Sequence, residues 1–152
     1  MSRADGVREV PQSRRAVWQA LAALEPYCPV CDVSYVITGT GVGTTFVCVP
    51  GPLDGRIPGP EATRGEIVVW ESGRVVATRL DLPAETWTTR IELADTESGG
   101  TLVAMTLECR ATAGNRLVRG LQARSRQRLV QRTLDAELER VPAHIAQAGR
   151  PG

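Results

Sequence analysis

The sequence contains no lysine, and all 18 of its basic residues are arginine. Without lysine there is no Schiff-base chemistry, no lysine-anchored pyridoxal phosphate and no P-loop lysine, so these mechanisms are excluded. The exclusive use of arginine is typical of a very GC-rich genome, such as an actinobacterial one. Because 17 acidic residues leave a formal net charge of only +1, the composition also argues against nucleic acid as a partner.

Histidine and long apolar runs are also scarce. The single histidine, His144, makes a Ser-His-Asp triad or a multi-histidine metal site hard to build, and we interpret it as a surface or helix-end residue. No stretch approaches the roughly 20 apolar residues that cross a bilayer, and the N-terminus has no leader-like pattern of a basic start and an apolar run. With 152 residues, 42% of them hydrophobic, we expect one cytoplasmic domain spanning residues 1–152.

The four cysteines include one CxxC motif, from Cys28 to Cys31. This spacing occurs in zinc ribbons and in thiol oxidoreductases. A structural zinc site needs two more ligands, whereas Cys48 and Cys109 occur singly in strand-like segments. A thioredoxin-like motif follows a strand and opens a helix, whereas here a helix precedes the motif and a strand follows it. We therefore predict small buried hydrophobic residues and no metal, with a redox or metal role for Cys28 and Cys31 left open.

Alternation of apolar and polar residues predicts strands. The clearest is residues 86–93, in which Trp87, Thr89 and Ile91 share one face. Turn residues then predict three hairpins, whose strands are residues 32–38 and 44–49, 66–70 and 75–80, and 86–93 and 101–111. The glycine cluster at 39–43 lacks the spacing of a nucleotide-binding fingerprint and is typical of a hairpin turn. We also predict a short strand over residues 6–10.

Two helices and one long loop complete the predicted elements. The first helix follows Ser13 and ends at Pro26. The loop from Pro50 to Arg64 carries four prolines and three glycines, so it forms no regular element, and in a protein with a cavity it could act as a lid. The last helix runs from Asn115 toward Ile145.

The apolar stripe of the last helix changes direction partway along. The first side carries Leu117, Val118, Leu121 and Leu129, and the second carries Val130, Leu134, Leu138, Val141 and Ile145. A bend or a broad buried face explains this change. Ser125 projects on the first apolar side, so we expect it to face a ligand cavity.

The order of these elements resembles the START-like or SRPBCC superfamily, to which the birch pollen allergen belongs, and in particular its bacterial polyketide cyclase/dehydrase branch. The matching pieces are residues 17–21, 41–43, 65–67 with Trp70, 87–93, 99–101 and 137–138. The resemblance implies an α+β helix-grip fold: a curved antiparallel sheet wraps the C-terminal helix, two short helices close one end, and an apolar ligand lies in the cavity between them. The first predicted strand is briefer than this pattern requires.

The resemblance implies a small cavity enzyme of secondary metabolism that promotes cyclisation, dehydration or a related rearrangement of a polyketide-like substrate. Such chemistry runs on confinement and a few polar groups, with no metal or cofactor. A carrier of an apolar metabolite without catalysis is the alternative. We predict Arg79 as a partner for an oxyanion or carboxylate, Tyr35 as a proton donor and Ser125 as a positioning group, although a surface ion pair for Arg79 and core packing for Tyr35 are the simpler interpretations. The predicted lining is Phe46, Trp70, Trp87, Thr89, Ile91, Met105, Leu107 and Leu121.

The last helix is rich in arginine. It carries six positive charges before its first acidic residue, Asp135, at positions 116, 119, 124, 126, 128 and 132. A solvated helix face explains them, and so does a surface that docks an acidic partner such as an acyl carrier protein. The sequence is compatible with a monomer or a homodimer.

Overall fold

Eight antiparallel strands and two helices make up the computed structural model, which describes residues 1–150. In chain order they are β1 (Ser2–Val10), α1 (Arg14–Leu21), β2 (Tyr27–Cys28), β3 (Val33–Thr38), β4 (Thr45–Pro50), β5 (Thr63–Glu71), β6 (Val75–Asp81), β7 (Glu85–Asp95), β8 (Thr101–Ala111) and α2 (Arg116–Ala148). All three predicted hairpins are confirmed, as are the glycine-rich turn at 39–43 and the irregular connection between β4 and β5.

The strands form one open, curved sheet with the order β1-β8-β7-β6-β5-β4-β3-β2. Strands β2 to β8 follow one another as a meander. Strand β1 forms the edge next to β8 and pairs with it along its whole length, from Ser2 opposite Cys109 to Val10 opposite Thr101. The longest pair is β7 with β8, where Trp87 lies opposite Cys109 and side chains in register share a face. The sheet therefore has two distinct faces.

The face that packs against both helices is called here the inner face. Val103, Leu107 and Cys109 of β8 are buried on it, in one cluster with Val130 and Leu134 of α2. The opposite, outer face carries the alternate residues of the same strands, such as Thr88 and Arg90 of β7 and Thr106 and Glu108 of β8. This division follows from the period of two in a β-strand.

Strand β1 is longer than the sequence pattern predicts, with nine residues instead of five. Its inward positions are the small residues Ser2, Ala4 and Gly6, which give no apolar alternation. The reason is the close approach of α2: a Cβ atom at position 6 would lie 2.6 Å from Leu138 Cδ1. A side chain at position 6 would force Leu138 to shift, so the glycine that weakens the strand pattern also lets α2 pack closely on β1.

Helix α1 is shorter than predicted, and it stands alone between β1 and β2. The Ser13 hydroxyl caps it by accepting a hydrogen bond from Ala16 N, and it ends at Leu21 instead of Pro26. Because Pro26 and Pro29 cannot continue a helix, residues 22–32 form a loop with only the two-residue strand β2, and the second short helix implied by the resemblance is not formed. Trp18 of α1 packs edge-on against Trp70 of β5, with ring centroids 5.0 Å apart.

Helix α2 is seated on the sheet only through its C-terminal half. Val130, Leu134 and Val141 are fully buried, whereas Leu117 and Leu121 near its start are 78% and 82% exposed. Among residues 1–150, the side-chain hydrogen bonds and ion pairs from α2 to the sheet begin at residue 126. The second predicted stripe is therefore confirmed, and the first one faces solvent. Within the described chain, no helix is both long enough and apolar enough to span a membrane.

Replacing Leu134 by alanine should lower the free energy of unfolding by about 2–5 kcal/mol, because the change leaves a cavity in a fully buried site. The matched control on the same helix is Leu121→Ala, which should change this free energy by less than about 0.5 kcal/mol. Urea denaturation followed by circular dichroism measures both. Equal losses in the two variants would contradict the half-seated arrangement of α2.

Candidate functional site

The two helices cover only part of the inner face, and the uncovered part forms the candidate site. The buried half of α2 covers β1, β8 and part of β7, while α1 covers Ile67 and Val76. Register places Thr78 opposite Thr89 and Leu80 opposite Trp87 on the same face. These residues, together with Tyr35 and Ile37, are only half-buried. We call this surface, lined by Tyr35, Ile37, Thr78, Leu80, Trp87 and Thr89, the inner groove.

Gly65 allows an aromatic wall to form at one end of the inner groove. The ring of Phe46 packs directly over Gly65, where a Cβ atom would overlap Phe46 Cζ. Phe46 is buried as a result, and Tyr35 packs edge-on against it with ring centroids 5.9 Å apart. The two aromatic rings thus form a fixed wall at the β3–β4 end of the groove.

Tyr35 offers a protonated hydroxyl at this wall. Burial raises the pKa of the phenol well above its ordinary value, and the neighbouring Cys31 and Cys48 thiols raise it further. Among residues 1–150, no protein group accepts a hydrogen bond from this hydroxyl. Its proton is therefore available to a molecule bound in the groove.

A polar cluster lies at the other end of the inner face. The Glu85 carboxylate accepts a hydrogen bond from Trp87 Nε1 at 2.8 Å, and Cys109 Sγ lies 3.5 Å from it. Arg126 Nε is 3.7 Å from the same carboxylate, and its side chain is only 15% exposed. Burial, followed by the charge of Glu85, raises the pKa of Cys109 to about 11. Neither Glu85 nor Arg126 is among the site residues predicted from the sequence: Glu85 shares the strand phase of Trp87, and Arg126 was predicted only as part of the arginine series of the last helix.

Most of the predicted lining residues lie on the inner face. The half-buried ones are Trp87, Thr89, Ile91 and Trp70, and the fully buried ones are Phe46, Met105 and Leu107. Met105 and Leu107 belong to the core beneath α2, so they support the groove from below. Tyr35 is on the same face.

Three predicted site residues lie elsewhere, so their expected positions are corrected. Arg79 pairs in register with Thr88 and lies on the outer face, where it forms ion pairs with Asp81 at 3.1 Å and Glu66 at 3.5 Å. Leu121 and Ser125 are exposed on the first half of α2, because that half is not seated on the sheet.

The outer face carries two shallow depressions of about 320 and 360 Å³. Both are open, and both are lined in part by Arg90, Glu92 and Ala104. The Arg90–Glu92 ion pair at 2.7 Å crosses this surface. Charged and open, these depressions suit an apolar molecule less well than the inner groove does.

The structure also brings the CxxC motif next to the only histidine. Cys28 Sγ lies 3.8 Å from His144 Nδ1, and Cys31 Sγ lies 3.5 Å from His144 Nε2. All three side chains are half-buried. His144 lies near the end of α2, as predicted, but its ring contacts the two cysteines and is not a plain surface group. Burial lowers the pKa of His144, and burial together with the Cys28 thiol raises the pKa of Cys31 to about 12.

Comparison with solved structures confirms the predicted fold. The chain is similar to TTHA0849 from Thermus thermophilus (TM-score 0.69, 18% identity, covering 97% of this chain and 99% of that one). It is also similar to a point mutant of norcoclaurine synthase from Thalictrum flavum in complex with a transition-state analogue (TM-score 0.64, 13% identity, covering 98% of this chain and 96% of that one). A third similar structure is Ara h 8.0201 (TM-score 0.59, 9% identity, covering 95% of this chain and 97% of that one). No protein-family profile and no curated protein sequence matches the chain. These similarities show the helix-grip fold.

The state of Tyr35 leads to a prediction about pH. An unfolded tyrosine ionises near pH 10, and in the folded chain Tyr35 holds its proton to higher pH. The folded state therefore binds more protons above pH 10, and the contribution of Tyr35 to stability is lost as pH rises beyond that value. In a Tyr27→Phe variant, ultraviolet absorbance should show no tyrosinate at pH 10. Half-ionisation at that pH would contradict the buried, protonated state.

Proposed function

We propose that this helix-grip protein binds an apolar small molecule in the inner groove and promotes its cyclisation, dehydration or a related rearrangement, as a small enzyme of secondary metabolism. The observation that carries the proposal is the partly exposed inner face. Trp87, Leu80 and Ile37 are large apolar residues on this concave face, and none of them is fully buried. A ligand that fills the groove removes this area from water, at about 25 cal/mol per Å² of apolar surface.

The polar groups of the groove suit a ligand with several oxygen atoms on an apolar frame. The hydroxyls of Thr78 and Thr89 lie opposite each other on neighbouring strands, and the Tyr35 hydroxyl has no protein acceptor within the described chain. A few donors on an apolar wall are the usual composition of a small-molecule site. A polyketide-like substrate, with spaced carbonyl groups on a carbon chain, matches this chemistry.

The chemical step follows from confinement and from the two ends of the inner face. Holding a flexible chain in a folded conformation supplies much of the barrier reduction for a cyclisation. Tyr35 donates its proton or a hydrogen bond to a carbonyl oxygen as negative charge develops there. Arg126, the cation beside Glu85, is the group that we assign to a second substrate oxygen in place of Arg79.

A neighbour in fold supports a catalytic role. Norcoclaurine synthase is an enzyme, and its point mutant holds a transition-state analogue. Because fold alone does not decide function, this precedent supports the proposal without identifying the substrate. A carrier that binds the same molecule and releases it unaltered is the alternative, and recovery of unchanged ligand after long incubation would favour it.

Binding should depend on the inner face and not on the outer one. Thr89→Phe fills the groove, so saturable quenching of tryptophan fluorescence by the best ligand class should weaken at least tenfold, a loss of about 1.4 kcal/mol. The ligand panel is aromatic polyketides, fatty acyl chains and sterols. Thr88→Phe is the matched control. The Thr88 side chain lies on the opposite face and lines an outer depression, so this change should leave the affinity unchanged. The reverse pattern would move the ligand to the outer face.

Turnover of the best ligand should depend on the Tyr35 hydroxyl. Tyr35→Phe keeps the ring that packs on Phe46 but removes the proton donor, so kcat should fall by about 10²–10⁴-fold, the usual contribution of a positioned acid. Arg79→Ala is the control on the outer face and should retain turnover. Product analysis by liquid chromatography measures both. Full turnover by Tyr35→Phe would remove this residue from the mechanism.

The acyl carrier protein partner stays a prediction. Arg116, Arg119, Arg124, Arg128 and Arg132 are exposed on α2, and among residues 1–150 no carboxylate lies within 4.0 Å of their guanidinium groups. An acidic carrier would meet these charges beside the open groove. Its binding should weaken as salt is added, and binding that ignores salt would count against an electrostatic dock.

A further inference from the structure

We propose that Cys28, Cys31 and His144 bind one zinc ion, which joins the loop between α1 and β3 to the C-terminal end of α2. The site borders the Tyr35 end of the inner groove, but it requires neither a substrate nor a reaction there. Two thiols and one imidazole are ligands that zinc commonly takes in proteins, and the three residues come from segments more than 110 positions apart in the sequence.

The distances between the candidate ligand atoms fit such a site. One atom from each residue can be chosen so that all three lie within 4.8 Å of one another. In a tetrahedral site, zinc–sulfur bonds of about 2.3 Å and zinc–nitrogen bonds of about 2.0–2.1 Å separate two sulfurs by about 3.8 Å and a sulfur from a nitrogen by about 3.5 Å. Cys28 Sγ lies 3.8 Å from Nδ1 and Cys31 Sγ lies 3.5 Å from Nε2. A single ion takes only one of these nitrogens, so one sulfur is already at about this separation and the other has to approach it from within 4.8 Å. Small side-chain movements are therefore enough to bring the ligands to one centre.

The backbone around the ligands is held in place. Cys28 belongs to β2 and pairs with Val33. Asp32, directly after Cys31, adopts a left-handed conformation with φ 54°, and its carbonyl accepts a hydrogen bond from Gly51 N at 2.7 Å. On the other side, His144 lies between the buried residues Val141 and Ile145 of α2. Strand pairing thus holds the cysteine loop, and core packing of α2 holds His144, without any contribution from a metal ion.

The chemistry of the cluster favours a metal over thiol redox work. A thioredoxin-like CxxC pair opens a helix, whereas here Cys28 belongs to β2 and strand β3 follows Cys31 with no helix between them. Soft thiolates in a tetrahedral arrangement select zinc among common divalent ions.

The fourth position is assigned to a water molecule. Glu137 lies two turns before His144 on α2 and acts electrostatically on both Cys31 and His144, but its carboxylate is already 3.1 Å from Arg140 Nη1. We therefore do not count Glu137 among the zinc ligands. With three protein ligands and one water, the coordination is of the open type.

The first test is the zinc content of the full-length chain. Protein is prepared with reductant, exposed to zinc and dialysed, and elemental analysis should find one zinc per chain. Cys28→Ser, Cys31→Ser and His144→Ala should each lose most of it. Cys48→Ser and Cys109→Ser are matched controls that should retain it, because these cysteines lie outside the cluster. Equal zinc in all five variants, or none in the unaltered chain, would overturn the site.

A second measurement holds even if a variant folds poorly. Cobalt(II) in place of zinc should give the unaltered chain the strong visible bands of a tetrahedral ion and a thiolate charge-transfer band, and a chelator should remove both and lower the melting temperature. Weak bands of a six-coordinate ion without charge transfer would contradict the proposal. A Cys28–Cys31 disulfide that persists under reductant would also overturn it. Either failure leaves ligand binding in the inner groove untouched.

Discussion

The packing of the C-terminal half of α2 against β1 and β8 is the constraint on which the other features depend. Val130, Leu134 and Val141 are fully buried in this contact, and Gly6 permits it, because a Cβ there would collide with Leu138. The contact determines where α2 crosses the sheet and how much of the inner face stays uncovered. Each buried aliphatic side chain contributes about 1.5–3 kcal/mol to such a seat.

Two consequences follow at opposite ends of the helix. At the N-terminal end, residues 116–125 extend away from the sheet with their leucines and arginines exposed, so the inner groove stays open between Tyr35 and Trp87. At the C-terminal end, the same seat carries His144 to the CxxC loop. The groove and the cysteine–histidine cluster are therefore two products of one packing contact, although neither needs the other to function.

The sequence predicts the parts of this structure in which local pattern and tertiary contact agree. Strands β7 and β8 alternate cleanly, and the second stripe of α2 is apolar because it is buried. Periodicity states which residues share a side but not whether anything covers that side, so Leu121 was expected inside. Strand β6 begins with three consecutive buried apolar residues, Val75 to Ala77. Without alternation at its start, the sequence does not show which residues of β6 face inward, so the outward position of Arg79 could not be predicted. The approach of His144 to Cys31 is a long-range contact that no local pattern contains.

Hydrogen–deuterium exchange along α2 tests the half-seated helix most directly. Backbone amides open locally where tertiary packing is absent, and a short unsupported helical segment is marginal in water. The arrangement described here predicts slow exchange for residues 130–145 and fast exchange for residues 117–126, with the change near the Arg126–Glu85 ion pair. Equal protection along the whole helix would mean that its first half also packs on the sheet, which would close the groove and contradict the account.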